Sequence, residues 1–360
     1  MIAVVKVGTS SITDDAGVID DAALEKVCTE IAHARAAGNQ VVLVTSGAIA
    51  AGLPALGIAT RPTDVGTLQA VAAVGQPRLM ERYTALLGAH GLVAAQVLLT
   101  PWDFAQRDQY LHARDTLEHL MELGALPIVN ENDTVADDEI RYGDNDRLAA
   151  LVAHLVGADL LVLLTDTPGL FTADPRLDHE ASLIEEIIEV DEALEKVAGG
   201  AGTDRGSGGM ASKLAAAKIA AWSGVRSVIA GASQPDVILH ALEGKAVGTV
   251  VHPHERRLPS RKLWIAFAQA AAGRVVVDEG ARTALAEGGR SLLAAGVRGV
   301  DGTWEAGAAV EVVVDGRPFA KGIARYSSKD LSVHAGRRTD DLPEGLPHEV
   351  IHRDDLVVLP

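Results

Sequence analysis

Short apolar runs rich in β-branched residues alternate with longer Ala- and Leu-rich segments from residue 1 to about residue 250. The runs with the composition of buried strands are IAVVKV, QVVLVT, VAAQVLL, LPIVN, DLLVLLT and VRSVIA. Unbroken apolar strands separated by helix-sized segments are typical of a parallel sheet that is covered on both faces. The pattern therefore predicts an α/β fold, a three-layer αβα sandwich with a mainly parallel central sheet.

The pattern changes at residues 252–262, where HPHERRLPSRK is rich in charge, histidine and proline. Many glycines and short alternating strands such as AVEVVV follow, which is typical of a small β-barrel-like domain. We therefore predict a large α/β domain at residues 1–255, a linker at 256–270 and a small β-domain at 271–360.

Composition limits the partners of the chain. Its 360 residues, 48% of them hydrophobic, are enough to bury two cores. A net charge of −17 argues against nucleic acid as the main partner, because affinity for its phosphates comes from Lys and Arg. Residues 271–360, with 11 basic and 14 acidic side chains, are acidic as well. We therefore expect no nucleic acid partner.

Cysteine usage and hydropathy indicate the compartment. The only cysteine, Cys28, falls on the apolar face of a predicted helix and is expected to be a packing residue rather than a reactive thiol. A single cysteine forms no internal disulfide, which is typical of a reducing compartment. The N-terminus has no signal-peptide pattern, and no apolar run approaches the roughly 18 residues of a membrane helix. We predict a cytoplasmic protein that does not enter a membrane.

An acidic stretch at residues 128–153, IVNENDTVADDEIRYGDNDRLAALVA, allows several kinds of site. A calcium loop of the EF-hand type is excluded. A loop that began at Asp133 would have Val135 at its third position, which needs an oxygen ligand, and a loop that began at Asp144 would run into a predicted helix. The pair His252 and His254 lacks a third zinc ligand. No nucleophile signature of a catalytic triad is present. A magnesium site, an acid/base pair or a solvated loop remain open at this point.

Two predicted strands carry, at or just after their ends, residues that are typical of an anion-binding site. Lys6 lies inside an apolar strand that opens into Gly8, and it either sits on an edge strand or contacts a phosphate that Gly8 allows to approach. Ser46 follows the next strand and either caps a helix or, with the amides around Gly47, binds an anionic ligand at the carboxyl end of the sheet.

Two later segments are candidates for nucleotide contact. GSGGMASKLAAA brings Lys213 to the first turn of a helix, and its alternative interpretation is a loose surface loop; its partial dinucleotide-binding pattern is rejected because no strand precedes it. Thr165 and Asp166 end a very apolar strand, where Asp166 either caps a turn or meets a ribose or base. Two lysines near glycine-rich turns, an anion site and a strand-end acid together suit phosphoryl transfer.

The motifs VVKVGTSS, VVLVTSGAIAAG, VNENDTV, GDNDRLAALVA, LLTDTPGLFTADPR and GSGGMASKLAAA, in this order, resemble the glutamate 5-kinases of the amino acid kinase family. The C-terminal region resembles the PUA domain that many of these enzymes carry, so the similarity spans essentially the whole chain. One departure is Ser207, which replaces a Thr that is more frequent in the glycine-rich loop.

The resemblance implies an activity: phosphorylation of the γ-carboxylate of L-glutamate by ATP, with Mg²⁺, as the first step of proline synthesis. It implies that Lys6 and Lys213 hold the phosphates, that Asp146 orients both lysines and that Ser46, Asp133 and Asn145 bind glutamate. The ATP site implied by the resemblance comprises Lys6, Thr165, Asp166, Ser207, Gly208, Gly209, Met210, Ala211, Ser212 and Lys213. No protein ligand of the metal is predicted.

The resemblance also implies a homo-oligomer, either dimer or tetramer, feedback inhibition by proline and functional coupling to glutamyl phosphate reductase. Two alternatives stay open. Another amino acid kinase would act on aspartate, acetylglutamate, carbamate or a nucleotide, and a PUA domain could make the chain an RNA-binding protein. The segment ADDEIRY, at 136–142, is expected to be a solvated connector or lid between two contact points.

Overall fold

The computed structural model describes residues 1–14, 16–135, 145–175, 177–198, 209–255, 257–343 and 345–359. The chain divides into two compact units, Met1–Arg257 and Leu258–Pro360. In the part of the chain that the structure describes, no helix has the length and apolarity needed to cross a membrane.

The first unit is built on one large sheet. Its strands are β1 Ile2–Val7, β2 Gln40–Thr45, β3 Ala94–Leu99, β4 Leu126–Glu131, β5 Leu160–Thr165, β6 Glu186–Ile187, β7 Arg226–Gly231 and β8 Thr249–Val251. The strand order is β3-β4-β2-β1-β5-β7-β8-β6. All pairs are parallel except β7 with β8. The mainly parallel sheet and its six predicted strands are confirmed, whereas the short strands β6 and β8, at one end of the sheet, were missed because two or three residues carry too little pattern.

Helices cover both faces of this sheet. They are α1 Asp21–Ala36, α2 Ala48–Gly52, α3 Val65–Ala89, α4 Pro101–Ala105, α5 Arg107–Glu122, α6 Asn145–Leu155, α7 Glu192–Ala198, α8 Met210–Trp222 and α9 Val237–Glu243. Helix α1 packs against α3 and α9, whereas α6 packs against α8 and against β1 and β5.

Alternation along β1 decides which layer each of its side chains enters. Val5 and Val7 belong to the core cluster that β1 shares with residues of α1, α3 and α9. Because successive side chains of a strand point to opposite faces, Lys6 points to the other layer, which holds α6 and α8. The lysine that looked costly in an apolar strand is thereby directed at two helices that carry polar residues.

The parallel register brings strand ends together. Val7 of β1 pairs with Thr45 of β2, and Lys6 pairs with Leu163 of β5. The carboxyl ends of these strands therefore lie along one edge of the sheet, where open α/β sheets bind their ligands.

Helices α2 and α3 approach each other unusually closely. A Cβ atom added to Gly75 would lie 1.7 Å from the carbonyl oxygen of Ala48, and one added to Gly52 would lie 2.1 Å from that of Val71. Both distances are shorter than any real contact, so this crossing requires glycine at both positions. The start of α2, directly after Ser46, is thus packed against the middle of α3.

The second unit has its own sheets and core. Its strands are β9 Gly273–Val277, β10 Leu292–Leu293, β11 Val297–Gly302, β12 Ala309–Val314, β13 Arg317–Ile323, β14 Glu349–Ile351 and β15 Leu356–Val358. Its helices are α10 Ser260–Leu263, a π-helical turn Trp264–Ala268, α11 Glu279–Ala286 and α12 Ser328–His334. A five-stranded sheet has the order β11-β9-β12-β13-β15, and β10 pairs with β14.

The predicted linker, 256–270, contains the helical segment formed by α10 and the π-helical turn. The three-part division into 1–255, 256–270 and 271–360 stays a prediction. What the structure adds is a core cluster within the second unit, around Val275, Val312 and Trp304, that is separate from the core of the first.

Candidate active site

Asp146, in the first turn of α6, is the centre of a buried charge cluster. Its Oδ1 lies 2.5 Å from Lys6 Nζ, and its Oδ2 lies 3.0 Å from Lys213 Nζ. The exposed fractions are 0% for Asp146, 4% for Lys6 and 5% for Lys213. One carboxylate therefore contacts two buried ammonium groups.

The Asp146 carboxylate stays ionised in this cluster. Burial by itself raises the pKa of Asp146, but the charges of Lys6 and Lys213, together with hydrogen bonds from Lys6 and Ser212, outweigh burial and hold the pKa below its ordinary value. An ionised Asp146 is what two buried lysines require, because an unpaired buried charge is very costly.

The start of α8 delivers Lys213. Gly209 precedes the helix as its N-cap residue, and Lys213 is the fourth residue of the helix. The Ser212 hydroxyl donates at 2.8 Å to Asp146 Oδ2 and lies 2.9 Å from the carbonyl oxygen of Gly209. Met210 and Ala211 form the first turn. The other two predicted nucleotide contacts of this loop, Ser207 and Gly208, lie outside the described residues.

Asn145, the residue before Asp146, belongs to a second cluster. Its Nδ2 donates toward the carbonyl oxygen of Thr45 at 2.7 Å, toward Ser46 Oγ at 2.9 Å and toward Asn130 Oδ1 at 2.9 Å. The Asn145 side chain is buried, and its Oδ1 has no hydrogen-bond partner among the described residues. Consecutive residues of one helical turn thus reach the ends of β1, β2 and β4.

Ser46 is not the cap of α2. The N-cap is Gly47, which has φ of +103° and no side-chain cap bond, so the left-handed conformation needs glycine there. Ser46 stays half-buried, with its hydroxyl directed at Asn145.

Asp133 lies two residues beyond β4. Burial raises the pKa of Asp133 to about 6, and the charge of Arg61 opposes that rise. Within the residues that the structure describes, no hydrogen bond joins Asp133 to the Asn145 cluster. The acidic residues Asp137, Asp138, Glu139 and Asp144 of the same stretch, and the predicted connector, lie outside the described residues.

Thr165 and Asp166 end β5, the strand next to β1. Thr165 is buried and its hydroxyl donates at 3.1 Å to Asp166 Oδ1, whereas Asp166 is exposed. The structure therefore places these two predicted nucleotide residues at the same sheet edge as Lys6, with Asp166 open to a ligand.

The sequence did not predict the buried residues behind the Asn145 cluster. Asn130 and Gln76 are buried and hydrogen-bonded to each other, and the Thr45 hydroxyl pairs with the Tyr83 hydroxyl at 2.8 Å. A signal for Asn130 existed, because an amide at the end of the apolar run LPIVN needs a buried partner. Gln76 gave no such signal, because a glutamine in a long helix is usually exposed.

No metal cage is evident in the described parts of the chain, where no group of three or more His, Cys, Asp or Glu side chains is placed to hold an ion. Both oxygens of Asp146 already face ammonium groups.

An open parallel sheet with two buried lysines at its carboxyl edge is typical of enzymes that bind phosphorylated ligands. The comparisons with known proteins agree. The amino acid kinase family matches residues 1–231, and the PUA domain matches residues 273–346. The chain therefore belongs to the amino acid kinase family.

Curated relatives narrow the group within that family. A protein of Trichlorobacter lovleyi named Glutamate 5-kinase is 45% identical, and one of Moorella thermoacetica with the same name is 46% identical. Each match covers 99% of this chain and 96% of the relative. Within the amino acid kinase family, this chain groups with the glutamate 5-kinases. A solved UMP kinase of Bacillus anthracis, 15% identical with a TM-score of 0.46, covers 70% of this chain and 96% of that one, and is too distant to inform the site.

Proposed function

We propose that this chain transfers the γ-phosphoryl group of ATP to the γ-carboxylate of L-glutamate and so forms L-glutamyl 5-phosphate, the first step of proline biosynthesis from glutamate. The observation that carries the proposal is that Asn145 and Asp146, consecutive in the chain, lie in an amide cluster suited to an amino acid and in a lysine cluster suited to phosphates. The relatives named Glutamate 5-kinase support the same choice of acceptor.

The reaction needs no general base. The γ-carboxylate of glutamate has an ordinary pKa of about 4.3 and is ionised at neutral pH. One of its oxygens attacks the γ-phosphorus, the bond between that phosphorus and the β,γ-bridging oxygen breaks, and ADP leaves with the electron pair. The obstacle is repulsion between two anions, which fixed positive charges offset.

Lys6 and Lys213 take the role of those fixed charges. Asp146 holds both ammonium groups in place before the nucleotide binds. Because the groups are already oriented and desolvated, little reorganisation is needed when negative charge spreads over the transferring group.

Ser46, Asn145 and Asp133 form the proposed glutamate site. The Ser46 hydroxyl can donate to a carboxylate, and Asn145 Oδ1 can accept from the α-ammonium group. Asp133 supplies a carboxylate for the same ammonium group. A bound ammonium favours the ionised form of Asp133 and lowers its raised pKa.

The proposed ATP site is formed by Lys6, by Thr165 and Asp166 and by the segment from Ser207 to Lys213. Support comes from the shared sheet edge and from the N-terminus of α8, which begins at Met210 directly after this segment's glycines. Magnesium belongs to the proposal as an ion carried on the ATP phosphates, where it would neutralise charge.

Three further properties belong to the proposal. The protein forms a dimer or tetramer, works in the cytoplasm and is inhibited by proline. Its product is an acyl phosphate, which water hydrolyses, so we propose functional coupling to a glutamyl phosphate reductase that consumes it.

The test is ADP release with glutamate, aspartate, acetylglutamate, carbamate or UMP as acceptor, each with and without hydroxylamine. Hydroxylamine converts an acyl phosphate into a hydroxamate that absorbs visible light with ferric ion. We expect ADP release and hydroxamate in a one-to-one ratio with glutamate. Turnover with another acceptor and no hydroxamate from glutamate would reject the proposal.

A further inference from the structure

We propose that Gln76 is a positioning residue for the acceptor site. It fixes the side-chain amide of Asn130, which in turn fixes that of Asn145. The identity of the ligand that Asn145 receives rests on the proposed function, but the arrangement of the three amides does not.

The orientation of the Asn130 and Asn145 side-chain amides follows from neighbouring backbone groups that can only donate or only accept a hydrogen bond. The Glu131 backbone N–H can only donate, and it donates at 2.9 Å to Asn130, so the atom of Asn130 facing it must be Oδ1. The Thr45 carbonyl can only accept, and it lies 2.7 Å from Asn145, so the atom facing it must be Nδ2. Asn130 Oδ1 is therefore a second acceptor for Asn145 Nδ2.

In these orientations, the contacts described so far do not use the Nδ2 donor of Asn130 or the Oδ1 acceptor of Asn145. Asn130 Nδ2 faces away from Asn145 and donates at 2.8 Å to Gln76 Oε1. Asn145 Oδ1, the leftover acceptor, is buried without a hydrogen-bond partner among the described residues. Gln76 is thus the acceptor that fixes the last free group of Asn130, and Asn145 Oδ1 is available to an ammonium donor.

A rotation of the Asn130 amide would undo both contacts. Its Nδ2 group would then face the Glu131 N–H and the Asn145 amide hydrogens, which places donors against donors. Without the Gln76 acceptor, the buried Asn130 Nδ2 donor is unsatisfied. The free-energy cost of rotating the Asn130 amide, fully or in part, is then smaller. Asn145 then loses one of its fixed acceptors and with it the defined direction of Oδ1.

The position of Gln76 depends on α3 approaching the sheet edge. The neighbouring Gly75 allows that approach, since a Cβ there would meet the Ala48 carbonyl. Tyr83, two turns later in α3, contacts the Thr45 hydroxyl, and the Thr45 carbonyl is the other fixed acceptor of Asn145. One helix therefore supports both acceptors, through Asn130 and through Thr45.

Gln96 provides a matched control. Gln76 Nε2 donates at 3.0 Å to Gln96 Oε1, but Gln96 lies exposed on the edge strand β3. Water can replace the Gln96 acceptor, whereas it cannot replace Gln76, which is 9% exposed.

The experiment compares Gln76→Met, Gln76→Glu and Gln96→Met with the parent enzyme. Met keeps the length of the side chain and removes the acceptor, whereas Glu keeps the acceptor. We expect Gln76→Met to raise KM for glutamate about tenfold with KM for ATP within about twofold. We expect Gln76→Glu to restore most of that loss and Gln96→Met to stay within about twofold of the parent for both substrates. Equal KM shifts for glutamate and ATP in Gln76→Met, or no rescue by Glu, would overturn the positioning role.

A second measurement needs no substrate. With ¹⁵N-labelled asparagine side chains, we expect slow hydrogen exchange for two amide groups in the parent and in Gln76→Glu, and fast exchange for both in Gln76→Met. Unchanged exchange in Gln76→Met would overturn the inference even if glutamate is the substrate. A parent enzyme that forms no hydroxamate, combined with lost protection in Gln76→Met, would reject the proposed function and support the positioning role.

Discussion

Asn145 and Asp146 are neighbours in the first turn of α6, yet their side chains belong to different clusters. Asn145 donates to the ends of β2 and β4, and Asp146 binds the lysines of β1 and α8. The two clusters cannot move independently, because one helical turn holds both. Under the proposed function, this holds the glutamate site and the phosphate site at a fixed spacing, on which in-line transfer depends.

Replacement of Lys213 by Ala should lower kcat by at least about a hundredfold. The reason is the loss of one fixed charge that offsets the negative charge of the transferring group. Steady-state kinetics with saturating ATP and glutamate measure this effect. Lys218→Ala, one turn further along α8 in a salt bridge with Glu195, is the control and should keep kcat within about twofold. Near-normal turnover of Lys213→Ala would remove Lys213 from the mechanism.

Replacement of Asp146 by Asn should destabilise the first unit more than loss of Lys213 does. Asn removes the carboxylate that contacts two buried ammonium groups, at a cost of about 3–5 kcal/mol. Lys213→Met removes only one of the two ion pairs and keeps that of Asp146 with Lys6. Urea unfolding at pH 7 compares the two variants. Equal unfolding free energies would contradict the charge account given for this cluster.

The raised pKa of Asp133 predicts a pH dependence of glutamate binding. Its pKa of about 6 lies above the ordinary value of 3.8, so Asp133 is protonated below pH 6 in the free protein and lowers stability as the pH rises from about 4 to 6. An ammonium ligand needs the ionised form. We expect KM for glutamate to fall about tenfold per pH unit as the pH rises toward 6 and to level off above it.

The control for this profile is Asp133→Asn. We expect a higher KM for glutamate at pH 7.5 and a profile that is flat between pH 5 and 7. A parent-like slope in Asp133→Asn would show that another group titrates.

Gly75→Ala should destabilise the protein by about 1–3 kcal/mol or more. The new methyl group would lie 1.7 Å from the Ala48 carbonyl oxygen, so α2 must shift away from α3. KM for glutamate should rise as well, since Ser46 and the start of α2 move together. Gly88→Ala in the same helix is the control, because a Cβ there meets nothing within 4 Å, and it should be neutral or stabilising by up to about 1 kcal/mol. Thermal unfolding of both variants decides between these outcomes.

The full chain should not bind RNA tightly. Residues 271–360 carry more acidic than basic side chains, so few phosphates can be neutralised. Filter binding to total cellular RNA at several salt concentrations tests this expectation. Submicromolar affinity with a steep salt dependence would contradict it and would assign the PUA domain an RNA ligand.

Much of the fold followed from the apolar pattern. Buried parallel strands such as Ile2–Val7 and Gln40–Thr45 must be apolar on both faces, so the sequence marks them clearly. The short strands β6 and β8 were not predicted, because their two and three residues leave no periodicity. In the structure β8 pairs with β7, and β6 pairs with β8. The candidate lysines were visible for a related reason: a charge inside an apolar run stands out.

The sequence alone determined the alternation of the six longer strands of the first unit with helices, the polar residues at strand ends and the absence of a second cysteine. Only the tertiary structure decided that Lys6 and Lys213, about 200 residues apart, share one carboxylate, and that Gln76 supports Asn145 through Asn130. The physical reason is that apolar periodicity is local, whereas the partner of a buried polar group is set by strand register and helix crossing. Such a partner has no signature in the residues next to it in the chain.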